Sequence, residues 1–537
     1  MRFSPRRRWI AALGMLAGFS AACGDPDAVA GWHAVIRPNE DARPISERIY
    51  GVAAADEDDI EQLAIPFVRW GGNTASRYNW ELGNAWNTGA DWYFENVAVE
   101  SNAWRRFLRR CRDHGAAAIV TVPLVGWVAK DTSSYSFPVE RYGPQRKTDP
   151  HRPDAGDGVR PDGSPVPPGD PSLTSRPMTP DFAAQWVRAM RREFPEMFAQ
   201  RRIVLALGNE PMLWDKTHRD VHPEPVSYRE YLRRFTDMAV RLKDEAPDTP
   251  IAGPELWGWP AWFESARDRE SAGAPDRRAH GSDFVPWFLE RMREYERRHG
   301  TRLLDILTLH YYPQAEGVFS KRNDPATSAR RLEAPRSLWD PEYRDPSWIG
   351  RRVRMIPRMR AWVRDHYPGT RIGVTEYNWG GEQAFSGAAA LADALGIFGR
   401  EGLDAACYWT VPPADSAARR AFSLYRNADG KGAKFGDTSL RVEWRGAGPE
   451  YDELTLYAAA SGSPGAFTAV VVGKSPHPAP LRLSMPEIDI VSMRGYVFGE
   501  TRPEILPLGE ERIEVVDGSA RLWLPGMSII HLRWAAQ

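Results

Sequence analysis

The sequence predicts an α/β protein: a (β/α)8 barrel carrying a second, smaller antiparallel β-sandwich. Three observations lead there. From residue 49 onward, eight short apolar runs each end in polar residues. Stretches with helical period separate them. Beyond about residue 424 that period disappears, and only short β-type runs remain, with Gly, Pro and Asp between them. Strands alternating with helices over this length point to a parallel, closed sheet. A doubly wound open sheet is the alternative, but the Gly-rich fingerprint that often accompanies it is missing from the first strand–helix turn.

Residues 1–30 read as a targeting segment. Arg2, Arg6, Arg7 and Arg8 form a basic start, and Trp9 to Ala22 an apolar run too short to span a membrane. Two processing sites compete. Ser20-Ala21-Ala22-Cys23 is similar to a lipobox, although Ser20 stands where a large aliphatic residue is usual. Ala28-Val29-Ala30 fits ordinary secretion with cleavage before Gly31. The reading favours a lipid anchor at Cys23, and either site places the chain outside the cytoplasm, secreted or on the cell envelope.

The segment 31–48 contributes a strand at 32–38 that is expected to join the sandwich. The barrel is assigned to 49–424, with strands at 49–52, 67–70, 118–123, 203–207, 251–254, 306–310, 371–375 and 405–410. Helical stretches lie at 104–114, 181–194, 228–245, 283–298, 351–366 and 388–400. Thr179-Pro180 is a reasonable helix start. Segment 130–180, rich in Pro, Gly, Asp and Ser, follows strand three and reads as a long functional or disordered loop; 313–348 after strand six reads the same way. The sandwich is assigned to 425–537, with runs at 440–444, 454–460, 466–472, 481–484, 492–498, 513–516, 520–524 and 528–534.

With 70 basic and 71 acidic residues, the net charge of -1 gives no nucleic-acid footprint. The 22 Trp are a surplus that suits sugar-stacking platforms, with more than half expected in the core. After the targeting segment only Cys111 and Cys407 remain. Buried free thiols are the default reading, and one disulfide stays open. No Cys/His cluster has zinc spacing, and no metal ligand is assigned.

Chemistry concentrates at predicted strand ends. Gly208-Asn209-Glu210-Pro211 closes strand four, and Val374-Thr375-Glu376-Tyr377-Asn378 closes strand seven. Strands four and seven lie nearly opposite in an eight-stranded barrel, so two carboxylates remote in sequence can face each other across the catalytic end. Glycoside hydrolysis uses such a pair, one to protonate the leaving oxygen and one to attack, about 5–5.5 Å apart in retaining enzymes. His310 and Tyr312 in Leu309-His310-Tyr311-Tyr312-Pro313 alternate onto one face, where the Tyr hydroxyl can hold the attacking carboxylate ionised. Arg69-Trp70-Gly71-Gly72-Asn73, with Tyr78-Asn79-Trp80-Glu81, follows strand two; Arg69 can orient a carboxylate or a hydroxyl. Asn209, Arg69, Asn73, His310 and Tyr312, together with Trp80, Trp127, Trp214, Trp379 and Trp409, are the candidate substrate contacts. About half of the Trp are expected to be platforms, Trp409 first among them.

Taken together, these motifs resemble glycoside hydrolase family 44 of clan A. The resemblance rests on R-W-G-G-N-x-x-x-x-Y-N-W-E at Arg69 to Glu81, G-N-E-P-x-x-W at Gly208 to Trp214, H-Y-Y-P at His310 to Pro313 and T-E-Y-N-x-G-G at Thr375 to Gly381. It extends to the Tyr142 and Asp154 stretches and covers nearly the whole chain after the targeting segment. It implies a retaining, endo-acting β-1,4-glucanase active on cellulose-like glucan, xyloglucan or a related β-linked chain. Glu210 would be the acid/base, Glu376 the nucleophile and Asn209 the contact to the 2-hydroxyl of the cleaved sugar. No cofactor is required. A structural calcium is compatible with the family, with its ligands unassigned here, and the chain is expected to be a monomer. Thr74 to Arg77 and a third acid, Glu255 at the end of strand five, depart from the expected pattern.

Overall fold

The structure is a computed structural model that describes residues 31–486 and 488–537; the targeting segment, with Cys23, lies outside the described residues. Its centre is a closed parallel barrel of eight strands in sequential order. These are β1 (Gly51–Ala53), β2 (Phe67–Trp70), β3 (Ala117–Val122), β4 (Ile203–Leu207), β5 (Ile251–Leu256), β6 (Ile306–Tyr311), β7 (Arg371–Tyr377) and β8 (Ala405–Tyr408). A helix follows each: α1 (Glu57–Leu63), α2 (Ala103–Asp113), α3 (Pro180–Glu193), α4 (Tyr228–Glu245), α5 (Phe284–His299), α6 (Met355–His366), α7 (Phe385–Arg400) and α8 (Ala417–Arg426). Residues 49 and 50, expected to open the first strand, form a 3-10 turn instead.

Local chemistry sets the helix ends. Thr179 accepts from Phe182 N ahead of Pro180, Ser227 caps α4, and Asp56 with Asp59 forms a capping box on α1. The barrel interior is layered. Phe67, Ile119, Val204, Ala206, Ala252, Ile306 and Cys407 form a buried apolar plug. Thr308, Thr375, Arg69 and Glu255 are among the buried polar residues nearer the strands' C-terminal ends. The plug closes the bottom and leaves a polar floor under the mouth. Cys111 on α2 and Cys407 on β8 are both free and buried, so no disulfide joins them.

The second unit is one hydrogen-bonded sheet of eleven strands closing over a core of its own. Its main strands are β9 (Thr438–Trp444), β10 (Leu454–Ala460), β11 (Ala466–Gly473), β12 (Ala479–Ser484), β13 (Ile490–Gly499), β14 (Arg502–Pro507), β15 (Ile513–Val516), β16 (Ser519–Leu524) and β17 (Ser528–Ala536). The strand Trp32–Arg37 joins its halves. It runs antiparallel to β9 but parallel to β12, an exception in an otherwise antiparallel unit. Alternate residues such as Ala34, Ile36, Leu481, Leu483 and Leu522 fill the core.

α7 connects the two units. Expected to be amphipathic, it is buried on every side from Phe385 to Gly399, because the second unit covers the face a barrel helix normally shows to water. Its Asp393 pairs with buried Lys474 (2.7 Å) and accepts from Tyr451 (2.9 Å), Tyr457 (3.1 Å) and Thr455. The segment expected to be a loop at 130–180 is instead a built lobe. Trp127–Ala129 pairs with Ser175–Pro177, Thr148–Asp149 pairs with Arg152–Gly156, and Phe94, Phe137 and Val166 form a small core.

Candidate active site

Glu210 and Glu376 leave the ends of β4 and β7 and meet over the barrel mouth. Their nearest oxygens and His310 Nδ1 all lie within 4.8 Å of one another. Each strand end is shaped for this. Glu210 has a left-handed backbone (φ 44°) and donates its N–H to Glu255 O (3.0 Å). Between β6 and β7 the register slips, so that Thr375 and Glu376 together face His310. This bulge turns Thr375 into the floor and Glu376 into the cleft.

Each oxygen of Glu376 has a donor of its own. Arg69 Nη1 donates to Oε1 (2.6 Å) and Tyr312 Oη to Oε2 (2.8 Å). Glu210 is held differently. His310 Nδ1 bonds Oε1 at 2.9 Å, and Oε2 is left for the cleft. Burial pushes the Glu210 carboxyl above the usual carboxylate range. The His310 cation pulls it back and the Glu376 charge pushes it up again.

Beneath both lies Glu255, fully buried. Its Oε2 accepts from Thr375 Oγ1 (2.7 Å), Arg69 Nη2 (3.2 Å) and His310 Nε2 (3.2 Å), and its Oε1 from Thr308 Oγ1 (2.5 Å). Burial alone would raise this carboxyl; the His310 bond and the Arg69 charge win and hold it at about 2. His310 is the mirror case. Burial would lower it, but the Glu376 charge and the bonds to Glu210 and Glu255 raise it to about 9. The imidazole is therefore a cation at neutral pH, with both ring N–H groups donating.

Known proteins share this architecture. The profile of glycoside hydrolase family 44 matches residues 85–315. The crystal structure of CelM2, described as a bifunctional glucanase-xylanase protein from a metagenome library, is 35% identical and superposes with a TM-score of 0.89. The match covers 94% of this chain and 99% of that one. The chain belongs to glycoside hydrolase family 44. A family 44 xyloglucanase of Paenibacillus polymyxa, solved with xyloglucan, is 25% identical over the same shares with a TM-score of 0.79. Endoglucanase A of Paenibacillus lautus is 31% identical over 418 residues, 73% of this chain but 56% of that protein, so the chain spans just over half of its length.

Within this family 44 barrel the other sequence candidates separate. Trp409 is half-buried at the end of β8; its ring covers Gly72 and lies 5.5 Å from the Arg69 guanidinium. Asn209 and Asn73 join the Arg69 side of the cleft. Trp214 and Trp379, expected as substrate contacts, are buried. Trp214 Nε1 bonds Asn209 O (2.9 Å) and braces the loop from behind, and Trp379 packs on Tyr311 and Tyr377. Neither offers a ring face to a ligand. Trp80 is tied to Phe182 O at the head of α3 (3.1 Å), and Trp127 lies in the short two-stranded sheet opposite Pro177. His310 is buried and touches carboxylates, acting as their support.

Glu255, beyond an effect on substrate preference, and Thr308, Thr375 and Asp91 carry no catalytic or substrate-contact assignment from the sequence. Thr308 was legible as the inward neighbour of His310 two residues on; Thr375 was hidden by the bulge. Exposed Phe319, against Tyr312 (4.9 Å), and exposed Trp348 add aromatic surface from the loop after β6.

Among the described residues the grouping with metal-ligand spacing is Glu210, His310 and Glu376 itself. There His310 is bonded to Glu210, and both oxygens of Glu376 are held by Arg69 and Tyr312. For a hard ion such as calcium, Glu95 and Asp149 supply carboxylate oxygens, with Glu95 Oε2 already paired to Arg152 (3.2 Å). Glu95 is buried, its Oε1 has no hydrogen-bond partner, and burial with the neighbouring Asp149 carboxyl pushes it up to about 7.

Proposed function

We propose that the chain is a retaining, endo-acting glycoside hydrolase that cleaves β-1,4-linked glucan backbones, cellulose-like glucan or xyloglucan, by double displacement. The observation that carries this is that an oxygen of Glu210 and one of Glu376 lie within 4.8 Å of each other, close enough for the pair to flank one glycosidic bond and for one of them to attack directly.

The charges around the pair support an assignment of roles. Glu255 and Glu376 are balanced by Arg69 and His310, so a protonated Glu210 leaves the cluster neutral. Glu210 is then the acid, with its proton on Oε2. Glu376 attacks the anomeric carbon as the C1–O bond breaks, and Glu210 gives its proton to the departing oxygen. The ester formed on Glu376 carries no charge, which removes one influence that held Glu210 high. Now a carboxylate, Glu210 takes a proton from water; the water oxygen bonds C1 and Glu376 leaves. Two inversions give net retention.

The names of the relatives, endoglucanase, glucanase-xylanase and xyloglucanase, support a β-1,4-glucan substrate. Product profiling on xyloglucan, carboxymethyl cellulose, mixed-linkage glucan, xylan and mannan tests it. Rapid release of internal fragments from a glucan is expected, with Glu210→Gln and Glu376→Gln each slower by about 10²–10⁴-fold. No release from any member of the panel would leave a carbohydrate-binding protein. The same reading has the chain act outside the cytoplasm as a monomer, anchored through a lipid on Cys23, with any calcium at Glu95 and Asp149 serving structure only. Mass analysis of the mature N-terminus tests the anchor.

A further inference from the structure

The polar contacts around the carboxylates continue past the cleft in a single row. Arg69 holds Glu376 with Nη1 and donates from Nη2 to Asn209 Oδ1 (2.9 Å). Asn209 Nδ2 donates to Asn73 Oδ1 (3.2 Å). Asn73 Nδ2 donates to both carboxyl oxygens of Asp91, each at 3.2 Å. Asp91, itself exposed, ends the 3-10 turn Gly89–Asp91 in the loop after β2.

The ends of this row fix its direction. An amide side chain can sit in either of two orientations that exchange donor and acceptor. A guanidinium only donates and a carboxylate only accepts. Arg69 therefore holds the Asn209 oxygen toward itself and turns Nδ2 outward. Asp91 holds the Asn73 Nδ2 toward itself and turns Oδ1 inward. The two constraints meet at the Asn209–Asn73 bond, donor against acceptor. Without Asp91 only the Asn209 amide is left to select the orientation of Asn73. Its flipped form would set two NH2 groups against each other and loosen Asn209. Asn209 Nδ2 has two hydrogens and Asn73 takes one, so the other is the donor this row leaves for a substrate oxygen beside Glu210.

We propose that Asp91 is a positioning residue. Acting through Asn73, it steadies the Asn209 amide, which Arg69 has already turned, as a donor to the hydroxyl next to the anomeric carbon of the sugar being cleaved. This rests on the hydrolase reading above. Asp91 touches no reacting atom, and its backbone N–H bond to Thr88 O (3.3 Å) is independent of its side chain.

The test crosses the residue with the hydroxyl. kcat/KM is measured for an aryl β-cellobioside and for its analogue lacking the 2-hydroxyl on the cleaved sugar. Wild type, Asp91→Leu and Asp91→Asn are compared, with Asp91→Ala standing in should the Leu variant not fold. Asp91→Leu is expected to lose about tenfold on the parent substrate, the size of one hydrogen bond, and to change less than about twofold on the analogue. Asp91→Asn keeps one acceptor oxygen and should recover most of the loss. Equal losses on both substrates, or no loss on either, would overturn the proposal. Glu210→Gln and Glu376→Gln are run alongside. If they stay active the hydrolase reading fails; if they are dead while Asp91→Leu is silent, the Asp91 proposal alone fails.

Discussion

Replacing His310 by Asn isolates the cation that sits between the three carboxyl groups. In the native site Nδ1 lies 2.9 Å from Glu210 and 3.5 Å from Glu376, and Nε2 lies 3.2 Å from Glu255. The cation steadies the Glu210 anion, so its removal makes the acid harder to ionise. A unit charge at about 4 Å in an effective dielectric of about 20 is worth about 4 kcal/mol, or about 3 pKa units. Arg69 remains as a second cation, and admitted water screens the loss, so a rise of about 1–2 units is expected. The sign follows from the role. Glu210 must hold a proton in the first step, so the alkaline limb of kcat/KM moves to higher pH. kcat/KM is the right quantity because it reports the free enzyme and the step up to the first ester. Initial rates on an aryl β-cellotrioside from pH 4 to 10, with near-UV circular dichroism to show that the variant is folded, decide it. An unmoved limb, or one displaced toward acid, would refute the charge balance drawn for the site.

Three further outcomes are expected. Asp393→Ala leaves Lys474 buried and uncompensated between the barrel and the second unit, and should cost about 3–5 kcal/mol, read as a clear fall in Tm. His531 in β17 is buried and its pKa is depressed to about 4 by burial, so the folded chain refuses a proton that the unfolded chain accepts. Its contribution is intact above pH 6.5 and drains as pH falls toward 4, at up to about 1.4 kcal/mol per pH unit; His531→Leu should flatten Tm against pH over that window. Trp409→Ala removes the ring over Arg69 and Gly72 and should lower kcat/KM by about tenfold or more, with Trp409→Phe in between. Equal activity in the Ala variant would remove Trp409 from the cleft's working surface.

The barrel was legible because parallel strands buried on both faces leave unbroken apolar runs, and each run ends where polar mouth residues begin. That same rule located Glu210, Glu376, His310 and Arg69. It could not orient rings. Trp214 and Trp379 follow strand ends as Trp409 does, but the left-handed turn at Glu210 sends the chain back so that Trp214 packs behind it. Glu255 also has a left-handed backbone (φ 54°) beside a register slip, a local geometry that leaves no periodic trace. The lobe at 130–180 was hidden because its turns are closed by side chains. Asp131, Asp157, Asp162 and Asp170 each accept a backbone N–H two residues on, at 2.8–3.0 Å. Such contacts build structure from residues that composition reads as loop.

The most direct measurement is covalent capture at the cleft. A 2-deoxy-2-fluoro cello-oligosaccharide with a good leaving group slows both steps but the second more, so the glycosyl ester accumulates. Digestion and mass spectrometry then locate it. One sugar adduct on the peptide containing Glu376 is expected, forming far more slowly in Glu376→Gln. An adduct on another residue, or turnover to an α-configured product with no adduct at all, would contradict a direct attack by Glu376.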